Sequence, residues 1–168
     1  MAFKIVTGQW GGGAETKAFG GSVRWCGGGT GQNKAEWDIQ IPRDGQYEVY
    51  AMWTAMDNRA TNAPYHIVHA GGETVRRVNQ KQDGAKWVSL GIYPFMEQRE
   101  AAVILSNDAD GYVIADAVKF EYCGEPVVKP GNGNEKVEII ADDEDPQFAI
   151  INENWDMCFW GQIFPLYK

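Results

Sequence analysis

The chain has 168 residues, a net charge of −8, and 44% hydrophobic, 23% charged and 12% aromatic residues. That balance is globular and fits one domain; it excludes disordered, collagenous and coiled-coil proteins. The acidic excess repels phosphate backbones, so no nucleic-acid partner is expected. No apolar run approaches the roughly twenty residues of a membrane span, and Met1–Trp10 carries no visible signal peptide.

Residues 8–31 hold half of the 20 glycines. Glycine at that density predicts loops and bends rather than helix. Glu36–Ile41 alternates polar and apolar, Pro42–Gly45 is a turn, and Gln46–Trp53 alternates again. On this second strand Tyr47, Val49, Ala51 and Trp53 share one face, opposite Glu48, Tyr50 and Met52. Asp57–Pro64 is a polar loop. Tyr65–His69 and Thr74–Asn79 flank a hairpin turn at Ala70–Glu73. Trp87–Tyr93, Ala102–Leu105 and Tyr112–Phe120 are further strands, and Phe95–Ala102 is a loop. Turn signals recurring at such intervals predict an all-β sandwich or barrel. Residues 124–135 read as a linker, Lys136–Ala141 as a strand, Asp142–Asp145 as a solvated acidic turn, and the remainder as an aromatic tail.

The chain offers little catalytic chemistry. Its two histidines, His66 and His69, fall on opposite faces of one strand and so do not share a metal. None of Ser22, Ser89 and Ser106 sits in a nucleophile elbow. Gly27–Lys34 lacks the Gly-Lys-Ser/Thr of a phosphate loop. Cys26, Cys123 and Cys158 fit no zinc or redox spacing; they read as structural thiols, with a Cys26–Cys123 disulfide open in an oxidising compartment. No catalytic residue, metal site or cofactor is expected, although a structural calcium stays open.

The aromatics say more. Seven tryptophans exceed what one modest core requires. Trp37 and Trp53 are assigned to packing. Sugar rings stack their C–H faces on exposed aromatics, while amides and charged groups read the hydroxyls. Asn58, Arg59, Asn62 and Tyr65 supply that mixture within one stretch, and Trp87 adds another ring; the alternative for the loop is self-ordering by hydrogen bonds. Asp116 falls on the apolar face of its strand with Ile114, Val118 and Phe120. It is therefore read as a buried structural carboxylate, held by the Asn58–Tyr65 loop or paired with Arg59.

Five stretches occur in an order that resembles a known family: Gly45–Trp53, Asn58–Tyr65, Val78–Gln80, Trp87–Gly91 and Ile114–Phe120. Over roughly residues 2–122 the chain is similar to the golvesin C-terminal domain, also called the xanthan-lyase carbohydrate-binding-like domain. The resemblance implies a galactose-binding-like jelly-roll sandwich and a non-catalytic accessory or structural role. It also implies the company of secreted polysaccharide-active enzymes and surface proteins. It carries no catalytic residue.

In that family the domain opens with a strand like Glu-Ile-Ile followed by an acidic turn. Here such a segment lies at the other end, Glu138–Phe148, and residues 147–155 align without gaps to residues 2–10, matching Phe148, Ile150 and Trp155 to Phe3, Ile5 and Trp10. The reading is thus a sandwich at 1–123, a linker at 124–135 and a strand-bearing extension at 136–168. The extension complements a sandwich edge, either its own or that of another copy of the chain in a head-to-tail filament. Phe3, Ile5, Trp10, Val137, Ile139, Phe148, Trp155, Phe159 and Trp160 are the candidate assembly residues. The expected function is a structural or adhesive module, extracellular or on a cell or virion surface. Its partners are copies of itself and polysaccharide. A monomeric lectin-like module is the alternative, ahead of a polysaccharide hydrolase or lyase.

Overall fold

The computed structural model describes residues 2–124, 136–141 and 150–153. In chain order the strands are β1 (Ala2–Thr7), β2 (Gly11–Ala14), β3 (Ser22–Cys26), β4 (Lys34–Asp38), β5 (Gly45–Met52), β6 (Ala63–His69), β7 (Gly72–Val78), β8 (Val88–Phe95), β9 (Ala102–Ser106), β10 (Val113–Ala115), β11 (Ala117–Gly124), β12 (Lys136–Ala141) and β13 (Ile150–Glu153). Two five-stranded sheets, β1-β4-β9-β6-β7 and β13-β12-β11-β5-β8, form a β-sandwich of the jelly-roll class, with a small β10-β3-β2 sheet beside them. Every ladder is antiparallel.

Alternation built this sandwich. In β5 the odd positions Tyr47, Val49 and Ala51 are fully buried, while Gln46, Glu48 and Tyr50 are only partly so. Trp37 of β4, Tyr65 of β6 and Trp53 form a ring cluster, with centroids 6.4 Å apart for Trp37–Tyr65 and 6.5 Å for Trp53–Tyr65. The core draws on β4, β6 and β9 from one sheet and β5, β8 and β11 from the other. Across the layers His69 meets Phe95 edge-on at 6.4 Å, and within the second sheet Phe95 meets Phe120 at 5.1 Å. Such ring pairs bury large apolar areas in fixed orientations.

The structure departs from the sequence reading at three places. The glycine-rich stretch is not all loop: Gly11–Gly13 form β2 because their missing side chains leave room for Trp25 and Arg24, and a Cβ on Gly11 would lie 2.3 Å from the Trp25 indole. Residues 112–120 are not one strand. The chain breaks at Asp116, so β10 joins the small sheet while β11 joins the large one. Finally, the N-terminus has its own strand: β1 pairs with β4, and β12 lies on the edge of β11 in the opposite sheet, with β13 beyond it. Segments 2–7 and 150–153, which align in sequence, therefore lie in different sheets.

Candidate functional site

The loops between β5 and β6, between β9 and β10, and after β3 converge at one end of the sandwich. Their junction is backbone-rich. Arg59 and Tyr112 form an isolated parallel bridge; Ala60 N–H donates to the Tyr112 carbonyl at 2.8 Å and Tyr112 N–H to that of Asn58 at 3.1 Å. Gly111 permits this approach, since a Cβ there would sit 2.8 Å from the Arg59 carbonyl oxygen. Asp110 accepts from the Thr61 hydroxyl and, at 2.7 Å, from the Thr61 N–H. These two bonds hold its carboxyl below the ordinary aspartate value. Arg77 clamps the same loop through Asp108 at 2.5 Å and the Asn62 carbonyl at 3.1 Å.

Beneath this junction lies Gln80, which is fully buried. Its Oε1 accepts from Ile114 N–H at 2.8 Å, and its Nε2 donates to the Ile114 carbonyl at 2.9 Å and to the Tyr65 hydroxyl at 3.0 Å. One side-chain amide thus serves β10 as a neighbouring strand would, satisfying both backbone groups of Ile114. Gln80 fell inside a family-like motif, but nothing local in the sequence distinguished it from a surface glutamine.

The predicted ligand residues separate. Tyr65 has no exposure at all; burial pushes its hydroxyl pKa up, and its ring faces Trp37 and Trp53. It cannot stack on a sugar, and this corrects its assignment. Asn62 orders the loop, its Oδ1 accepting from Asp110 N–H at 2.9 Å. Trp87, half-buried before β8, meets Phe19 at 5.6 Å and has the Lys119 ammonium 5.6 Å from its ring centroid. Its ring contacts therefore belong to a different cluster from the Asn58–Asn62 loop. Asn58 and Arg59 remain at the loop end, together with Tyr112, which is 44% exposed and which the sequence reading assigned to a strand.

Asp116 is fully buried and accepts from Phe19 N–H at 3.1 Å, anchoring the 3-10 turn Phe19–Gly21. The expected anchors, Arg59 and the Asn58–Tyr65 loop, are not its partners. Arg59 donates to the Thr54 carbonyl at 3.4 Å, the Asn58 Oδ1 at 3.1 Å and the Met56 sulfur at 3.0 Å. The kink that ends β10 turns Asp116 toward the glycine-rich segment, which a single-strand reading of 112–120 could not foresee.

On the outer face of the first sheet His66 Nδ1 lies 2.8 Å from Glu73 and its Nε2 3.5 Å from the Ser106 hydroxyl. The order resembles a hydrolase relay. The Ser106 residue is 2% exposed, however, and its hydroxyl lies beyond the roughly 2.6–3.2 Å reach of a nucleophile–base pair. Cys26 and Cys123 are not joined in a disulfide; buried Cys26 accepts from Asn33 Nδ2 at 3.0 Å. Among the described residues no three His, Cys, Asp or Glu side chains gather as a metal site would require, and no helix is long and apolar enough to cross a membrane.

Of the assembly candidates, Phe3 packs at 5.4 Å on Trp37, Ile5 is 39% exposed, and Trp10 lies half-buried against the core. Val137 and Ile139 lie on β12. Phe148, Trp155, Phe159 and Trp160, like Cys158, fall outside the described residues.

This architecture defines an all-β module of the sandwich type. The Golvesin C-terminal domain model matches residues 2–122, and the chain belongs to that family. It is 40% identical over 100 residues to a xanthan lyase of Bacillus sp. (strain GL1), an alignment covering 57% of this chain and 11% of the lyase. The solved Paenibacillus xanthan lyase superposes with a TM-score of 0.66 at 36% identity, covering 70% of this chain and 12% of that one. A family 35 carbohydrate-binding module from Clostridium thermocellum aligns at 17% identity and a TM-score of 0.44, over 68% of this chain and 92% of the module. The chain therefore corresponds to a small part of the lyases it matches.

Proposed function

We propose that the chain is a non-catalytic carbohydrate-binding module that engages polysaccharide outside the cell or on a cell or virion surface. The supporting observation is its match, in sequence and in fold, to a segment making up only 12% of a xanthan lyase. A segment of that size, carrying a rigid sandwich and ordered loops but no assembled nucleophile among the described residues, suits recognition better than turnover. Affinity electrophoresis in gels containing xanthan, with neutral glucans as comparison, tests the reading. Retardation in at least one gel is the expected result; unretarded migration throughout would refute it, and polysaccharide turnover by the purified chain would refute its non-catalytic part.

A second reading is head-to-tail assembly, with the extension 136–168 as a donor segment beyond the 1–123 sandwich and the 124–135 linker. Its support is the connection between β11 and β12. Their last paired positions are Glu121 and Glu138, so residues 122–137 span what a hairpin closes with about two to five. That length also permits the same pairing between copies, and an open exchange of this kind propagates. Light scattering on the full chain decides it: growth of the mass with concentration supports assembly, and a constant monomer mass refutes it.

A further inference from the structure

We propose that Arg59 and Tyr112 form a subsite for a carboxylate-bearing sugar of a polysaccharide, an inference that rests on the polysaccharide reading above. Arg59 differs from the ion-paired cations of the molecule. Arg77 has Asp108 at 2.5 Å and Lys4 has Glu36 and Asp38 at 2.8 Å. The Arg59 guanidinium, by contrast, bonds only neutral acceptors among the described residues: the Thr54 carbonyl, the Asn58 amide oxygen and the Met56 sulfur. Arg59 is partly buried, and this desolvation lowers its pKa, opposed only through space by Glu15. A partly desolvated guanidinium that bonds no carboxylate is poised to accept one, because its planar fork matches a carboxylate in two parallel hydrogen bonds.

The neighbouring groups fit a sugar. Tyr112, a residue 44% exposed, offers an aromatic ring and is set beside Arg59 by the backbone bridge. Exposed Asn58 lies next in sequence, with its amide nitrogen available to a hydroxyl. Stacking on the ring, a charge-matched fork and an amide would thus come from one pre-ordered junction rather than from mobile side chains. The net charge of −8 opposes general attraction of an acidic polymer. A preference for carboxylated sugar would therefore have to arise locally.

Calorimetric titration with native xanthan and with carboxyl-reduced xanthan tests the subsite. The native polymer should bind roughly tenfold tighter or more. Arg59→Gln should erase that preference, bringing the two polymers to similar affinity, and Arg59→Lys should fall between. Tyr112→Ala should weaken both polymers, and Tyr112→Phe should retain binding; thermal melts confirm that each variant folds. Equal binding of both polymers by the unaltered chain, or a preference that survives in Arg59→Gln, overturns the subsite and leaves polysaccharide recognition standing. Binding of neither polymer overturns the subsite, and unretarded migration on the wider gel panel then overturns polysaccharide recognition as well.

Discussion

Replacing Gln80 with Leu removes an amide that is fully buried and bonded at both ends. The side chain keeps nearly the same volume, so the change isolates hydrogen bonding from packing. Three bonds of 2.8–3.0 Å vanish. The Ile114 N–H loses its acceptor and the Ile114 carbonyl loses its short donor, in a site water does not reach. A buried polar group deprived of its partner costs about 1–3 kcal/mol, so two together imply about 2–6 kcal/mol. Against a total stability of about 5–15 kcal/mol for a domain, that is a large fraction. Urea denaturation followed by tryptophan fluorescence measures it, with an unchanged slope showing that the compactness of the two states is preserved. Gln80→Glu gives a second handle. Burial raises the pKa of a carboxyl above its unfolded value, so this variant should be most stable below the unfolded pKa, where the neutral acid still donates. It should lose stability as pH rises through the folded pKa. A Gln80→Leu loss below about 1 kcal/mol would refute the view that Gln80 stands in for a strand.

Asp116→Ala should destabilise the sandwich by about 1–3 kcal/mol, because Phe19 N–H loses its buried acceptor; release of Phe19 from Trp87 should also shift the tryptophan emission, and an unaltered spectrum with unaltered stability counts against the anchoring role. Asp110 should titrate below the ordinary value of 3.8. Its folded pKa is depressed, so its contribution is present above the unfolded pKa and fades as pH falls through the folded one. Carboxyl-carbon NMR that places its midpoint at or above 3.8 contradicts the Thr61 contacts.

What the sequence determined is the repetitive part. Strand alternation in residues 36–38 and 46–52, the turns between them and the paired runs around Ala70–Gly71 specify an all-β sandwich, because each strand can bury its apolar face in only one way. Trp37 and Trp53 were legible as core for the same reason. The site was less legible because its residues meet through loops. Tyr65 read as a ligand platform from its polar neighbours, yet strand parity turns it inward between two tryptophans. Tyr112 read as a strand residue, yet the break at Asp116 and the bridge to Arg59 hold it at the surface. Gln80 and Asp116 acquire their roles from partners far away in the chain, Ile114 and Phe19. Period-two patterning is a local property, so it survives translation from sequence to fold. Which buried amide meets which backbone, and which acceptors surround a given arginine, depends on contacts between distant segments, and only tertiary packing decides these.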